Sequence, residues 1–305
     1  MRSLKVQLIH PGKQKPFNLR KGYILLSNSQ IVREWCNDEK YNPIPGSKKA
    51  FEHYRKFIQN QGQYLSSIKS KPKEADLLFW GEWEGHSIFN PLPNSDRKRF
   101  PNGIHRPFHS ILNKGAQNTD PYVYGDYFKY AVCLQKGALT KLPPLSLILF
   151  GTTYIKLNAF YLDTVFVVDS SVPAKKVMTT GASAYSRTYR EATLNQLDEY
   201  NGNTLSEVKL YHGLTWWDNN KYFSFVPSKA NPNRGFERLR IDLGDPLFSL
   251  AGNTQGYSYL PKCSLSPQEL WEKIALRCFK EGFVLGIRFQ EPEINNTILD
   301  SVSRF

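Results

Sequence analysis

Short runs of aromatic and β-branched residues, each cut off by Pro, Gly or Asn, recur along the whole chain: "GYILLS", "DLLFWGEWE", "DPYVYGDYFKYAVCLQ", "LSLILFG", "NAFYLDTVFVVD", "EVKLYHGL", "KYFSFVP" and "FERLRIDL". Such residues suit a pleated, half-buried surface, and the breakers between them mark turns. No strand–helix–strand rhythm accompanies them, which argues against a doubly wound nucleotide-binding fold, and no repeat period or low-complexity tract is visible. The expectation is an α+β, mainly β chain with a strand-rich, barrel- or sandwich-like core and a few peripheral helices. With 305 residues, 40% of them hydrophobic, there is enough apolar material for a sizeable core.

Two helices stand out against the strands. In "SPQELWEKIALRCFKEG" Ser266 is placed to cap, Pro267 to open the first turn, Glu269 to complete a capping box and Gly282 to end the helix. The following "FVLGIRF" reads as a buried strand closed by Pro292. The second helix is expected over residues 48 to 61, with Ala50, Phe51, Tyr54, Phe57 and Ile58 on one arc and Lys48, Lys49, Arg55 and Lys56 on the other. The stretch 169–186, "DSSVPAKKVMTTGASAYS", interrupts two strand-rich regions, 1–170 and 187–305. It reads as a domain boundary or equally as one long functional loop within a single domain.

The net charge of +13 is unevenly spread: residues 1 to 75 hold 15 basic and 5 acidic side chains, net +10, leaving net +3 for the remainder. A local excess of this kind attracts phosphate-bearing partners, although a solvated lysine-rich face has the same composition. Lys48, Lys49, Arg55 and Lys56, with Arg106 in the "NGIHRPFHS" stretch, are the candidate phosphate contacts. His105 and His109 flank Pro107, which opposes the helix needed to bring both onto one metal. Cys36, Cys133, Cys263 and Cys278 lie far apart and form no CxxC pair, which fits a reduced cytoplasm. Residues 1 to 30 lack the pattern of a secretory signal, and the longest apolar run is too short for a bilayer, so a soluble cytoplasmic chain with no membrane partner is expected. No GxxxxGK[ST], GxSxG or HExxH occurs, and nothing calls for a cofactor or metal.

Several constellations carry polar chemistry on strands. Alternation in "DLLFWGEWE" puts Leu78, Trp80, Glu82 and Glu84 on one face and Leu77, Phe79 and Trp83 on the other. Trp80 can stack on a base and Glu82 accept from an exocyclic amine, or both can belong to an ordinary core strand. Tyr122 and Tyr124 share a face if their strand is regular, and Asp163 sits among β-branched neighbours, where a buried acid requires a partner. His212, Trp216 and Trp217 form a further stacking candidate, with "KYFSFVP" as the next strand of a hairpin.

The Tyr-His-Gly core of "LYHGLTWWDN" resembles the first catalytic strand of ADP-ribosyltransferases, whose histidine holds the nicotinamide ribose. The resemblance covers about four residues. It implies that role for His212, with Tyr257 or Tyr259 and Glu291 nearest to the later tyrosine and glutamate of the pattern, while Thr215, Trp216 and Trp217 replace what usually follows.

The expected division of labour is that a basic N-terminal quarter attracts phosphates while aromatic, acidic pockets recognise the less charged part of the same ligand. In plan this is similar to PUA-like and EVE-like readers of modified or flipped bases. The leading expectation is a nucleic-acid or nucleotide-binding protein, in a microbial defence or base-modification setting. The alternatives are a nucleotide-processing enzyme, nuclease-like or centred on His212, and a polyanion-binding assembly subunit.

Overall fold

The computed structural model describes residues 3–10, 23–25, 30–33, 55–92, 103–109, 119–131, 137–194, 208–231 and 238–294. Among them the strands run, in chain order, β1 (Lys5–Ile9), β2 (Tyr23–Leu25), β3 (Ile31–Arg33), β4 (Arg55–Leu65), β5 (Lys73–Glu82), β6 (Ser87–Pro91), β7 (Gly103–Pro107) and β8 (Lys129–Tyr130). They continue as β9 (Leu147–Tyr154), β10 (Ala159–Pro173), β11 (Lys209–Gly213), β12 (Val226–Ala230), β13 (Leu239–Asp242), β14 (Gly256–Tyr259) and β15 (Val284–Phe289). One long helix, α1 (Pro267–Lys280), precedes the last strand, and short helical turns fill 174–194. The chain is thus mainly β with few helices.

Two sheets hold these strands. The first runs β14-β1-β9-β10-β11-β8, with β13 also on β10; the second runs β15-β12-β5-β4-β7-β6-β3-β2. In the second, β15 pairs with β4 as well as β12, so β4, β5, β12 and β15 close into a small barrel. Strands before residue 170 pair with strands after residue 187 in both sheets, as β1 does with β14 and β5 with β12. The 169–186 stretch therefore does not separate the sheets.

The closure of β4 explains the clearest departure from the sequence expectation. The helix expected over 48–61 is a strand from Arg55 onward; residues 48–54, with Lys48 and Lys49, lie outside the described residues. Phe57 and Ile58, neighbours on one arc of a helix, face different cores: Phe57 packs with Trp80 and Leu78, Ile58 with Leu77 and Phe79. That is a period of two, imposed by three strand partners, β5, β15 and β7, against a weak local helical preference. Gly62 permits the approach of β15, since a Cβ there would lie 2.5 Å from the Arg288 carbonyl oxygen.

Both sheets alternate their side chains between two cores, as the sequence of β5 foretold. Leu78 and Trp80 enter one core with Leu149, Val165 and Val167; Leu77, Phe79 and Trp83 enter the other with Phe150 and Phe166. Helix α1 seals the first core with Trp271, Ile274 and Cys278, and the Trp271 indole donates to the Phe223 carbonyl at 2.7 Å. Its start has the expected capping box between Ser266 and Glu269, and Gly282 beyond its end takes φ +71°. The stretch 119–131, read as a regular strand, forms only the two-residue β8 and isolated bridges. Its Gly125, at φ +82°, turns the backbone where an L side chain would be strained.

Candidate functional site

Most residues singled out in the sequence are internal. Trp80 is 5% exposed and Glu82 3%; Trp80 meets Phe57 edge-on at 4.9 Å and carries the Arg238 guanidinium 4.5 Å above its ring. Arg55, expected on an exposed basic face, is 1% exposed and bonds Glu82 at 3.1 Å, Asp163 at 2.9 Å and the His10 ring at 2.5 Å. Asp163 also binds Arg238 at 2.5 Å. Burial pushes the Asp163 carboxyl up, against the downward pull of Arg238 and Arg55. This cluster ties β4 and β5 to β10, and the apolar surroundings demand the pairing. Lys56 is likewise buried, so neither Arg55 nor Lys56 presents charge to a phosphate.

Arg106 stays exposed on β7: alternation turns it outward while His105 turns in to Ser87 Oγ at 2.9 Å. Tyr122 and Tyr124 are fully buried and pack edge-on against each other at 5.3 Å, with Tyr124 also against Trp83. Trp216 leans on the first core, whereas Trp217 is exposed.

One candidate, His212, does line a pocket. Across the first sheet Tyr122 pairs with Lys129, Lys129 with His212, and His212 with Ser170, so these four side chains form a row on one face. Between Val168 and Ser170 the register slips, leaving Asp169 as an extra residue in a bulge, and bulges of this kind re-aim side chains. Tyr185 and Ser186, from the stretch first read as a boundary or loop, cover the row, and Glu291 closes one side. The pocket they line has a volume of about 550 Å³ and is open on one side to solvent. A cleft of about 760 Å³ adjoins it through the shared Gly125, Asp126 and Glu291.

The pocket has aromatic walls with fixed polar tips. The Tyr127 ring stacks on His212 at 5.7 Å and 26°, and the Tyr185 hydroxyl meets His212 Nε2 at 3.1 Å. Glu291 accepts from the Tyr122 hydroxyl at 2.9 Å and from Ser186 Oγ, which also caps the Tyr189 N–H. At the rim Arg288 bonds Asp126 at 2.5 Å and lies 5.8 Å over the Trp217 ring. Burial lowers the His212 pKa, helped by Lys129 and opposed by Asp169, so its imidazole is neutral near pH 7. The lining holds four carboxylates, Asp126, Asp169, Asp218 and Glu291, against one lysine, Lys129. In a chain of net charge +13 this is a local reversal of sign.

Chemically, such a site offers flat faces for stacking and acceptors for N–H donors. Of the residues implied by the ADP-ribosyltransferase resemblance, Glu291 lines the pocket with His212. Tyr257 and Tyr259 do not, because β14 lies four strands from β11, roughly 19 Å at ordinary strand spacing. The sequence reading singled out none of Lys129, Asp169, Tyr185 and Ser186 individually; the last three lie in the small, polar stretch 169–186 that reads as a boundary or a functional loop, and Lys129 lies in a stretch read only as a strand. No helix among the described residues is long and apolar enough to cross a membrane. Compared with family models, curated proteins and solved structures, the chain matches none, and the pocket's own geometry is what bears on function.

Proposed function

We propose that the chain binds a nucleobase in the His212 pocket, presented as a nucleotide or as a base unstacked from a nucleic acid. The observation that carries this reading is the combination of stacking walls with acceptor carboxylates inside a strongly basic chain. Tyr127, stacked on His212 and 48% exposed, offers its open face to a planar ring. Asp169 and Asp218 accept from ring or exocyclic N–H groups, and they repel the phosphates, which the net charge of +13 attracts to the chain as a whole. A flat, donor-bearing heterocycle attached to a polyanion satisfies both halves.

The test is binding of nucleosides and short single-stranded oligonucleotides, measured by fluorescence with melting temperature in parallel. Tyr127→Ala is expected to weaken binding by about 1–3 kcal/mol, since stacked bases lose that much on removal of the aromatic. Its melting temperature should stay near wild type because the ring is half outside. Asp169→Asn should change which base is preferred, because the carboxylate becomes a mixed donor and acceptor. Wild-type binding by Tyr127→Ala, competed fully by heparin, would instead favour attraction of polyanions by charge alone.

A further inference from the structure

Lys129 is the one cation in the pocket lining, and the base-binding reading leaves it without a task. Its ammonium is almost fully buried, with the rings of Tyr189 at 4.9 Å, Tyr122 at 5.0 Å and Tyr127 at 5.8 Å. Its one hydrogen bond among the described residues goes to the Tyr127 carbonyl at 3.2 Å, and no carboxylate there lies within ion-pair reach. Buried lysines are ordinarily paired with an acid. This one is instead held beside His212 on the face that the cavity opens onto.

We propose that Lys129 is a nucleophilic amine that forms an imine with an aldehyde-bearing ligand in the pocket, of the class of the ring-opened sugar of an abasic nucleotide. The inference rests on the His212 pocket being a ligand site. The amine lone pair attacks the carbonyl carbon, a C–N bond forms, and the C=O π pair moves to oxygen, which takes a proton. The C–O bond of that carbinolamine then breaks, oxygen leaves as water with a second proton, and amine plus aldehyde have become imine plus water. The Tyr185 hydroxyl and the neutral His212 ring, 3.1 Å apart, stand beside the row to carry these protons.

An aldehyde is favoured over a bulkier carbonyl because rings crowd three sides of the amine. Burial lowers the Lys129 pKa to about 8, against the upward influence of Glu291 and Asp126. Roughly a tenth of the amine is then neutral at pH 7, compared with under a thousandth for an ordinary lysine. The rings of Tyr122, Tyr127 and Tyr189 and the imidazole of His212 pack around it, with Asp169, Asp218 and Tyr185 further along the lining.

The experiment treats the whole chain at pH 7 with 2-hydroxybenzaldehyde and cyanoborohydride, which delivers hydride to the imine carbon and fixes it as a secondary amine. Peptide mass spectrometry then compares Lys129 with the exposed Lys69 and Lys71. Labelling of Lys129 about tenfold faster or more is expected, and a single-stranded oligonucleotide carrying one abasic site should crosslink at the same residue. Lys129→Arg, which keeps the charge, should lose the crosslink. The labelling comparison needs only the wild-type chain, so it decides even if the variant does not fold. Labelling no faster than at Lys69 and Lys71 overturns the proposal, and nucleoside binding in that case leaves the base reading standing. Fast labelling of Lys129 without nucleoside binding or protection supports the reactive amine and removes the base reading.

Discussion

At the scale of single residues, Trp80 and His212 show how similar signals part ways. Both stood out as polar-tipped aromatic residues on strands, yet Trp80 is locked between Phe57 and the Arg238 guanidinium, while His212 opens onto a cavity. Trp80→Ala is therefore expected to cost about 3–5 kcal/mol of folding stability, as large-to-small changes in packed cores do. Chemical denaturation checks it, and a loss below about 1 kcal/mol would place the ring outside the core. The alternation that sends Leu77 and Leu78 to different cores was legible in sequence because a strand has a period of two and both types are apolar. The burial of Arg55 was not, since its partners His10, Glu82 and Asp163 come from three distant segments. The pocket was hidden for the same reason: His212, Lys129, Asp169, Tyr185 and Glu291 meet only after the sheets assemble.

At the scale of elements, α1 followed its local rules and β4 did not. The α1 capping box, Pro267 and Gly282 are contacts within a few residues, so sequence alone specifies them. Ser266→Ala is expected to destabilise the protein by about 1 kcal/mol, through loss of the bond that the Glu269 N–H donates to Ser266 Oγ. Urea denaturation reads this, and Ser266→Asp, which retains a capping oxygen, should restore most of it. For β4 the 3.6-residue pattern of 48–61 lost to pairing with β5 and β15, whose ladder hydrogen bonds and two-sided burial no helix offers. The bulge at Asp169 belongs to this scale too: one extra residue in β10 shifts the register with β11 and places a carboxylate in the lining beside His212.

At the scale of the whole molecule, the buried titratable groups make stability depend on pH. His86 stacks on Phe108 at 5.6 Å, and burial, assisted by Lys56 and His109, lowers its pKa from 6.5 to about 4. The unfolded chain thus binds a proton between those values that the folded chain refuses, so this contribution is complete above pH 6.5 and is lost as the pH falls toward 4. Relative to His86→Phe, which keeps a ring against Phe108, the wild type should lose about 3 kcal/mol between pH 7 and pH 4. Parallel denaturation curves for the two proteins across that range would contradict it. The closed barrel of β4, β5, β12 and β15 also sets the order of events during synthesis. Its seam joins Leu65 to Leu285, so β4 has emerged from the ribosome long before its partner exists. Until then the edge of β4 that β15 covers stays unpaired, so the barrel closes only after β15 has been made, and Leu65 waits for a partner more than two hundred residues further along the chain.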